Sequence, residues 1–207
     1  MTPTPAFARD AATARYYEQR ADEYDEWYEG RGRFADRDRP GWAAELDRLI
    51  AFVRALAPAR TLDVACGTGF LTRHVRGLVL GLDRSAAMLG VTRGRVGGPV
   101  LAADALALPV RDGAFDRVLT GHFYGHLPPD ERAAFLAEAR RVAGELVVVD
   151  SALRPGIEAE QCQVRVLNDG SRHRVYKRYL AADQLAEEIG GRVALSGQWF
   201  VAARRSQ

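Results

Sequence analysis

The chain has 207 residues, of which 47% are hydrophobic and 27% charged, and its formal net charge is +2. That length suits one well-buried domain, residues 1–207. No apolar run approaches the roughly 20 residues of a membrane span, and a nearly balanced charge supplies little attraction for nucleic acid. These values predict a soluble protein acting on a small molecule, with neither nucleic acid nor membrane as partner; oligomeric state is not legible here.

The first ten residues, MTPTPAFARD, contain prolines and no apolar signal core, so the cytoplasm is the expected compartment. From Asp10 to Tyr28 helix formers alternate with aromatic residues, and Tyr17, Arg20, Ala21 and Tyr24 recur at spacings of three or four, on one helical face. Such a helix packs its rings on the domain or closes over a ligand, its ring faces shielding a cation. Trp27 belongs to the same aromatic group. Residues 30–40, charged and holding glycine and proline, read as a loop, so residues 10–40 together form a helical lid and loop. Trp42 to Leu56 is an amphipathic helix that Pro58 ends, suited to covering a sheet.

Thr61 to Val75, TLDVACGTGFLTRHV, reads as strand, tight turn, helix, with Gly67 and Gly69 in the turn. The unpaired N–H groups of that helix would favour a polar ligand. Strand candidates follow at Leu78–Leu82, Pro99–Ala103, Phe115–Thr120 and Glu145–Asp150, with helices at Ser85–Val91 and Asp130–Val142 between them. This alternation predicts an α/β doubly wound, mostly parallel sheet covered by helices on both faces, with its ligand outside the carboxyl ends of the strands. Val164–Leu167 and Arg174–Tyr179 flank the turn residues Asn168, Asp169 and Gly170, so residues 160–180 form a hairpin-like insertion. A helix over Ala181–Ile189 and strands at Arg192–Leu195 and Trp199–Ala203 end the chain, the last pair making the sheet edge antiparallel.

Three strand ends carry the polar groups of a ligand site: Asp63 with Gly67 and Gly69, then Asp83, then Asp104. An acid at the second strand end suits two ribose hydroxyls, and Thr72 at the position of the dinucleotide fingerprint's third glycine argues against a pyrophosphate-bearing ligand. His122 and His126 lie four apart just beyond the fourth strand, where they serve as a general base or cap a tight loop. No third metal ligand accompanies them, and Cys66 and Cys162 lack metal-ligand spacing, so no metal site is expected. Tyr124 lines the pocket or fills the core. Arg172, His173, Arg174, Lys177 and Arg178 are a basic cluster, either a solvated strand face or a reader of an acidic substrate group, with Arg174 the candidate contact. LPPD at 127–130 opens a helix. Cys66 is a small buried filler.

LDVACGTG at 62–69, LGLDRSAAML at 80–89 and AADALALPV at 102–110, followed by FDRVLTGHFYGHL at 115–127, resemble in order the motifs of class I S-adenosylmethionine-dependent methyltransferases of the small-molecule type. The resemblance implies a Rossmann-like sheet of about seven strands with an antiparallel C-terminal strand. It implies S-adenosylmethionine as cofactor, held by the main chain at Gly67 and Gly69 and by Asp63 at the amino group. Asp83 would hold the ribose; Arg84, Met88, Asp104 and Ala105 would surround the adenine; Ala65 stands where many members carry another glycine. Tyr17 and Tyr24 of the lid would face the cofactor, and Tyr124, Trp27 and Arg174 the substrate. The activity implied is transfer of a methyl group to an oxygen, nitrogen or carbon of a small metabolite, driven mainly by positioning. The alternative is a regulatory domain that binds the cofactor without transferring its methyl group.

Overall fold

A computed structural model describes residues 7–206; residues 1–6, and with them most of the segment read for an export signal, lie outside the described residues. The sheet comprises β1 (Ala59–Val64), β2 (Gly77–Asp83), β3 (Val100–Ala102), β4 (Phe115–Gly121), β5 (Ala143–Ser151), β8 (Arg192–Ser196) and β9 (Phe200–Ser206), in the order β3-β2-β1-β4-β5-β9-β8. The first five are parallel, and β9 runs antiparallel to β5. Leu62, Val64, Leu82, Val118, Leu146 and Val148 are fully buried, as strands covered on both faces require. The doubly wound sheet with a reversed strand near its C-terminal end is thus observed. Strand order reverses between β1 and β4, and their carboxyl ends open the crevice in which ligands of such sheets bind. A hydrogen bond of 2.8 Å from the Thr120 hydroxyl to the Val64 carbonyl ties the two strand ends together.

Helices α1 (Ala11–Arg20), α2 (Glu26–Glu29), α3 (Trp42–Ala55), α4 (Ala86–Arg93), α5 (Pro129–Val142) and α6 (Ala182–Ile189) complete the frame, with β6 (Glu160–Val166) and β7 (Arg172–Arg178) as a separate antiparallel pair. Pro129 stands at the first helical position of α5, as the LPPD reading requires. No helix among the described residues is long and apolar enough to cross a membrane.

Two expectations need correction. The aromatic N-terminal helix is not continuous to Tyr28: α1 stops at Arg20, a single 3-10 turn covers Ala21–Glu23, and α2 ends at Gly30 in the left-handed region. The bend lets Asp25 turn inward, where it accepts a 2.6 Å hydrogen bond from the Thr68 hydroxyl and pairs with Arg95. Nor does an α-helix follow the glycine turn. Only the 3-10 turn Thr72–His74 lies between Gly69 and β2. Phe70 and Leu71 instead turn into a cluster with Tyr28, Trp42, Leu49, Val53 and Phe200. Helix α3 and these rings cover the face that a crossover helix would have covered.

Candidate functional site

The carboxyl ends of β1, β2 and β4, roofed by α1, enclose a chamber of about 350 Å³. Its walls include Leu82, Met88, Ala103, Ala105, Phe123 and Gly67, with Asp83 the acid at one side. Each Asp83 oxygen accepts one backbone hydrogen bond: Gly67 N–H donates to Oδ2 and Ser85 N–H to Oδ1, both at 2.9 Å. A carboxylate oxygen has room for a second donor, so two acceptor sites remain on a rigidly held group. Burial raises the Asp83 pKa, while the Ser85 and Gly67 donors oppose the rise. Gly67 and Gly69 both adopt positive φ, +56° and +74°. A Cβ at Gly67 would meet the Tyr24 ring at 3.8 Å, an ordinary contact, so it is the positive φ that favours glycine here. Ala65 takes φ +57° without being glycine, a conformation that costs an L-residue about 1–2 kcal/mol.

Helix α1 roofs this chamber through Thr13, Ala14, Tyr17 and Glu18. Glu18 accepts from the Ser85 hydroxyl at 2.6 Å and from Ala87 N–H at 3.0 Å, capping α4 across the chamber mouth. The segment before α1 is fastened as well: Glu131 accepts from Phe7 and Ala8 N–H, and Arg84 donates to the Ala8 carbonyl.

A second, wider chamber of about 840 Å³ lies between α1, the 30–40 loop and the β6–β7 pair. Tyr17, Tyr24 and His122 line both chambers and form the neck between them. The Tyr17 phenol is pushed up to about 12 by burial, with Arg165 opposing, so it stays protonated at neutral pH.

His122 follows β4 directly, at the strand-order reversal, with φ +57°. It is one of two non-glycine residues with positive φ among those described, and strain of this kind concentrates at functional sites. Neither ring nitrogen has a hydrogen-bond partner; Nδ1 stands 4.0 Å from Asp150 Oδ1, too far to bond. Burial lowers its pKa to about 4, against the pull of Asp150, so the ring is neutral at physiological pH. Asp150 itself is buried, which favours its neutral form, yet Lys177 and His122 hold its carboxyl below the ordinary value. His126 is different. Its Nδ1 lies 2.5 Å from the Tyr176 carbonyl, which only accepts, so Nδ1 carries the proton and Nε2 is left as the acceptor. Its ring stacks on Phe7 at 4.6 Å, and burial, reinforced by Lys177 and Arg165, pushes its pKa well below the ordinary value. Both histidines are neutral bases beside the second chamber.

Comparison with known proteins bears on this pair of chambers. Residues 62–145, which carry β1 to β4, match a family model described as a methyltransferase domain. Demethylmenaquinone methyltransferase of Thermus thermophilus is 37% identical over 116 residues, 50% of this chain and 52% of that protein. Malonyl-[acyl-carrier protein] O-methyltransferase of Geobacter sulfurreducens is 34% identical over 111 residues, 48% of this chain and 41% of that protein. The chain spans about half the length of these curated relatives. Over nearly its whole length it resembles the solved DhpI-SAM-HEP complex, with a TM-score of 0.71, 26% identity, and coverage of 95% of this chain and 96% of that one. Residues 62–145 are by this match a methyltransferase domain, and the chain as a whole is similar to class I S-adenosylmethionine-dependent methyltransferases. The first chamber stands at the matched motifs, and the second is walled mostly by segments outside the matched residues.

Of the residues singled out in the sequence, Ala65, Gly67, Asp83, Arg84, Met88, Ala105, Tyr17, Tyr24 and His122 line the first chamber, and Trp27 and His126 the second. Five line neither. Asp63 is buried behind the turn, accepting from the Thr72 hydroxyl at 2.6 Å; burial raises it to about 7. Gly69 packs against Thr92. Asp104 accepts from Leu106 N–H and from Arg9, which hold its carboxylate in the following turn. Tyr124 is buried with its hydroxyl donated to Glu188, and Arg174 is exposed on β7. Of the basic cluster Lys177, paired with Asp150, lines the second chamber, while Arg178 is buried against Glu188. The Cys66 thiol is raised by burial, as a filler's would be.

Glu18, Asp25 and Arg165 were missed. Glu18 and Asp25 look like ordinary acids of a charged helix, and only the bend after Arg20 reveals their targets. Arg165 sits in the β-prone run Val164–Leu167, legible as one arm of a hairpin, but the face that meets α1 was not.

Proposed function

We propose that this chain transfers a methyl group from S-adenosylmethionine to a small metabolite, with residues 10–40 as lid. What carries the reading is the pair of chambers joined at a neck of Tyr17, Tyr24 and His122. A domain that merely sensed the cofactor would have no use for the second. The first chamber fits the cofactor: Asp83 keeps an acceptor site on each oxygen for two vicinal hydroxyls, Met88, Ala103 and Ala105 offer apolar surface to a flat base, and Gly67 admits close backbone approach. When bound, S-adenosylmethionine supplies a methyl group on positively charged sulfur, ready for in-line attack.

The protein's own part is positioning. The Tyr17 and Tyr24 rings at the neck would shield the reacting atoms from water and offer aromatic surface to a cation. Holding both reactants in contact supplies most of the rate, since effective molarities in oriented reactions are large. Where the acceptor carries a proton, the free Nε2 of His126 or the unpartnered ring of His122 would take it up. Calorimetry with S-adenosylmethionine and its demethylated product, S-adenosylhomocysteine, tests the cofactor half, and neither binding would end the proposal. A labelled-methyl assay against fractionated cell extract tests the transfer.

A further inference from the structure

Seven cationic side chains line the second chamber, Arg20, Arg33, Arg37, Arg39, Arg154, Arg165 and Lys177, against two acids, Glu23 and Asp38. In a chain whose net charge is only +2, that concentration is local. Lys177 is neutralised by Asp150, and Arg33 and Arg37 are solvent-exposed. The remaining four arginines are held in place yet lack a counter-ion: among the described residues no carboxylate lies within 4.0 Å of any of them.

Each has been fixed by groups that leave its charge uncancelled. Arg20 is 8% exposed and stacks over the rings of Tyr16 and Tyr24 at 5.5 and 4.7 Å. Arg165 donates to the Gln163 side-chain oxygen at 3.2 Å and approaches the Tyr17 hydroxyl at 3.5 Å; its guanidinium lies 5.9 Å from the same Tyr16 ring that Arg20 covers. Arg154 lies 4.0 Å from the Trp199 ring centre, and Arg39 lies 3.9 Å from that of Trp42 while donating to the Trp27 carbonyl. Aromatic faces orient a guanidinium and shield its flat side while leaving its N–H edge free. A buried or half-buried charge without a partner is costly, and four converging on one chamber leave a standing demand for negative charge.

We propose that the second chamber takes an anionic acceptor, a small acid whose carboxylate or tetrahedral oxyanion is bound by Arg20 and Arg165, with Arg154 and Arg39 completing the field. Planar guanidinium edges match such oxygens two at a time. This rests on the chambers' roles as donor and acceptor sites. Arg20 and Tyr17 lie on one helix, and Arg165 meets the Tyr17 hydroxyl, so an anion held there lies next to the neck. Arg174, the candidate from the basic cluster, is outside this chamber.

The test titrates protein loaded with S-adenosylhomocysteine with inorganic phosphate, acetate and, as a neutral control, glycerol, by calorimetry. Either anion is expected to bind at millimolar concentration and glycerol not at all. Arg165→Gln and, separately, Arg154→Gln are expected to weaken the anion about tenfold or more, with Arg165→Lys recovering part of the loss. Retained S-adenosylhomocysteine binding certifies that each variant is folded. Failure to bind S-adenosylhomocysteine defeats the parent reading. Its binding with no response to either anion, or anion binding unchanged in both Gln variants, overturns the anionic-acceptor proposal alone.

Discussion

Replacing Asp83 with asparagine separates two kinds of work done by one carboxylate. Gly67 and Ser85 donate to its two oxygens at 2.9 Å each, so both oxygens are locked and each retains one acceptor site facing the chamber. The amide has one acceptor oxygen and one donor nitrogen. The nitrogen must face either Gly67 N–H or Ser85 N–H, donor to donor, and on the chamber side it no longer accepts from a hydroxyl. Hydrogen bonds to a charged group are worth about 1.5–3 kcal/mol each. Losing one ligand bond, and weakening the other because the charge is gone, removes about 3 kcal/mol of affinity, roughly a hundredfold. Stability falls less, because neutralising Asp83 also relieves the burial that raises its pKa. The assay is calorimetry with S-adenosylhomocysteine, beside a thermal melt to establish folding. Asp104→Asn is the contrast: with its carboxylate committed to Arg9 and Leu106 N–H outside the chamber, it is expected to change affinity by less than about tenfold. A folded D83N protein that binds within about threefold of wild type, or D104N binding more weakly than D83N, would refute the reasoning.

His122 is held near 4 in the fold against 6.5 unfolded. The unfolded chain therefore binds the extra proton first, and the neutral ring's contribution is complete above 6.5 and lost as pH falls toward 4, about 3 kcal/mol in all. Asp63, raised to about 7, works in the opposite sense: its contribution is present below 3.8 and lost as pH rises through 7. Denaturant unfolding from pH 4 to 7 should show His122→Asn gaining on wild type toward acid and Asp63→Asn gaining toward neutrality; parallel curves would be inconsistent with the buried geometry. Ala65→Gly relieves the +57° φ, offset in part by glycine's freedom when unfolded, for a net gain of about 0.5–1 kcal/mol read as a higher Tm; an unchanged or lower Tm speaks against strain. Asp25→Asn weakens the bond from Thr68 and unpairs Arg95, so limited proteolysis should cut residues 20–35 faster and S-adenosylhomocysteine affinity should drop; equal cleavage rates would show that Asp25 does not anchor the lid.

Much of this was written in the residues. Alternation of apolar runs with helical spacings marks the parallel strands because each must be buried on both faces, and Asp83 and Gly67 reach the first chamber from the ends of strands so marked. What escaped was set by contacts distant in sequence. FLTRHV after Gly69 has a helical pattern, yet Phe70 and Leu71 find Tyr28 and Phe200 and leave a single turn. Asp104 has the right position at a strand end, but a side chain's direction depends on the next turn and on Arg9, ninety-five residues earlier. The basic hairpin showed that positive charge matters, whereas register decides which residue reaches the chamber: Arg165 stands opposite His173, on the face toward Tyr16 and Tyr17, and Arg174 opposite Val164 on the other.

The missing crossover helix also shapes how the chain must assemble during synthesis. Helix α3 stands in for it, and α3 is fastened to the far end of the sheet: Glu45 accepts from Gln198 and Trp199 N–H at 2.7 and 2.8 Å, and Trp42 packs against Phe200. Residues made early thus wait for partners made more than 150 positions later. Contacts of such long range slow folding, so a nascent chain that already carries the glycine turn and the parallel strands still lacks the segment to which α3 is fastened. The two chambers then differ in timing: every residue lining the first is made by Phe123, whereas the second waits for Trp199.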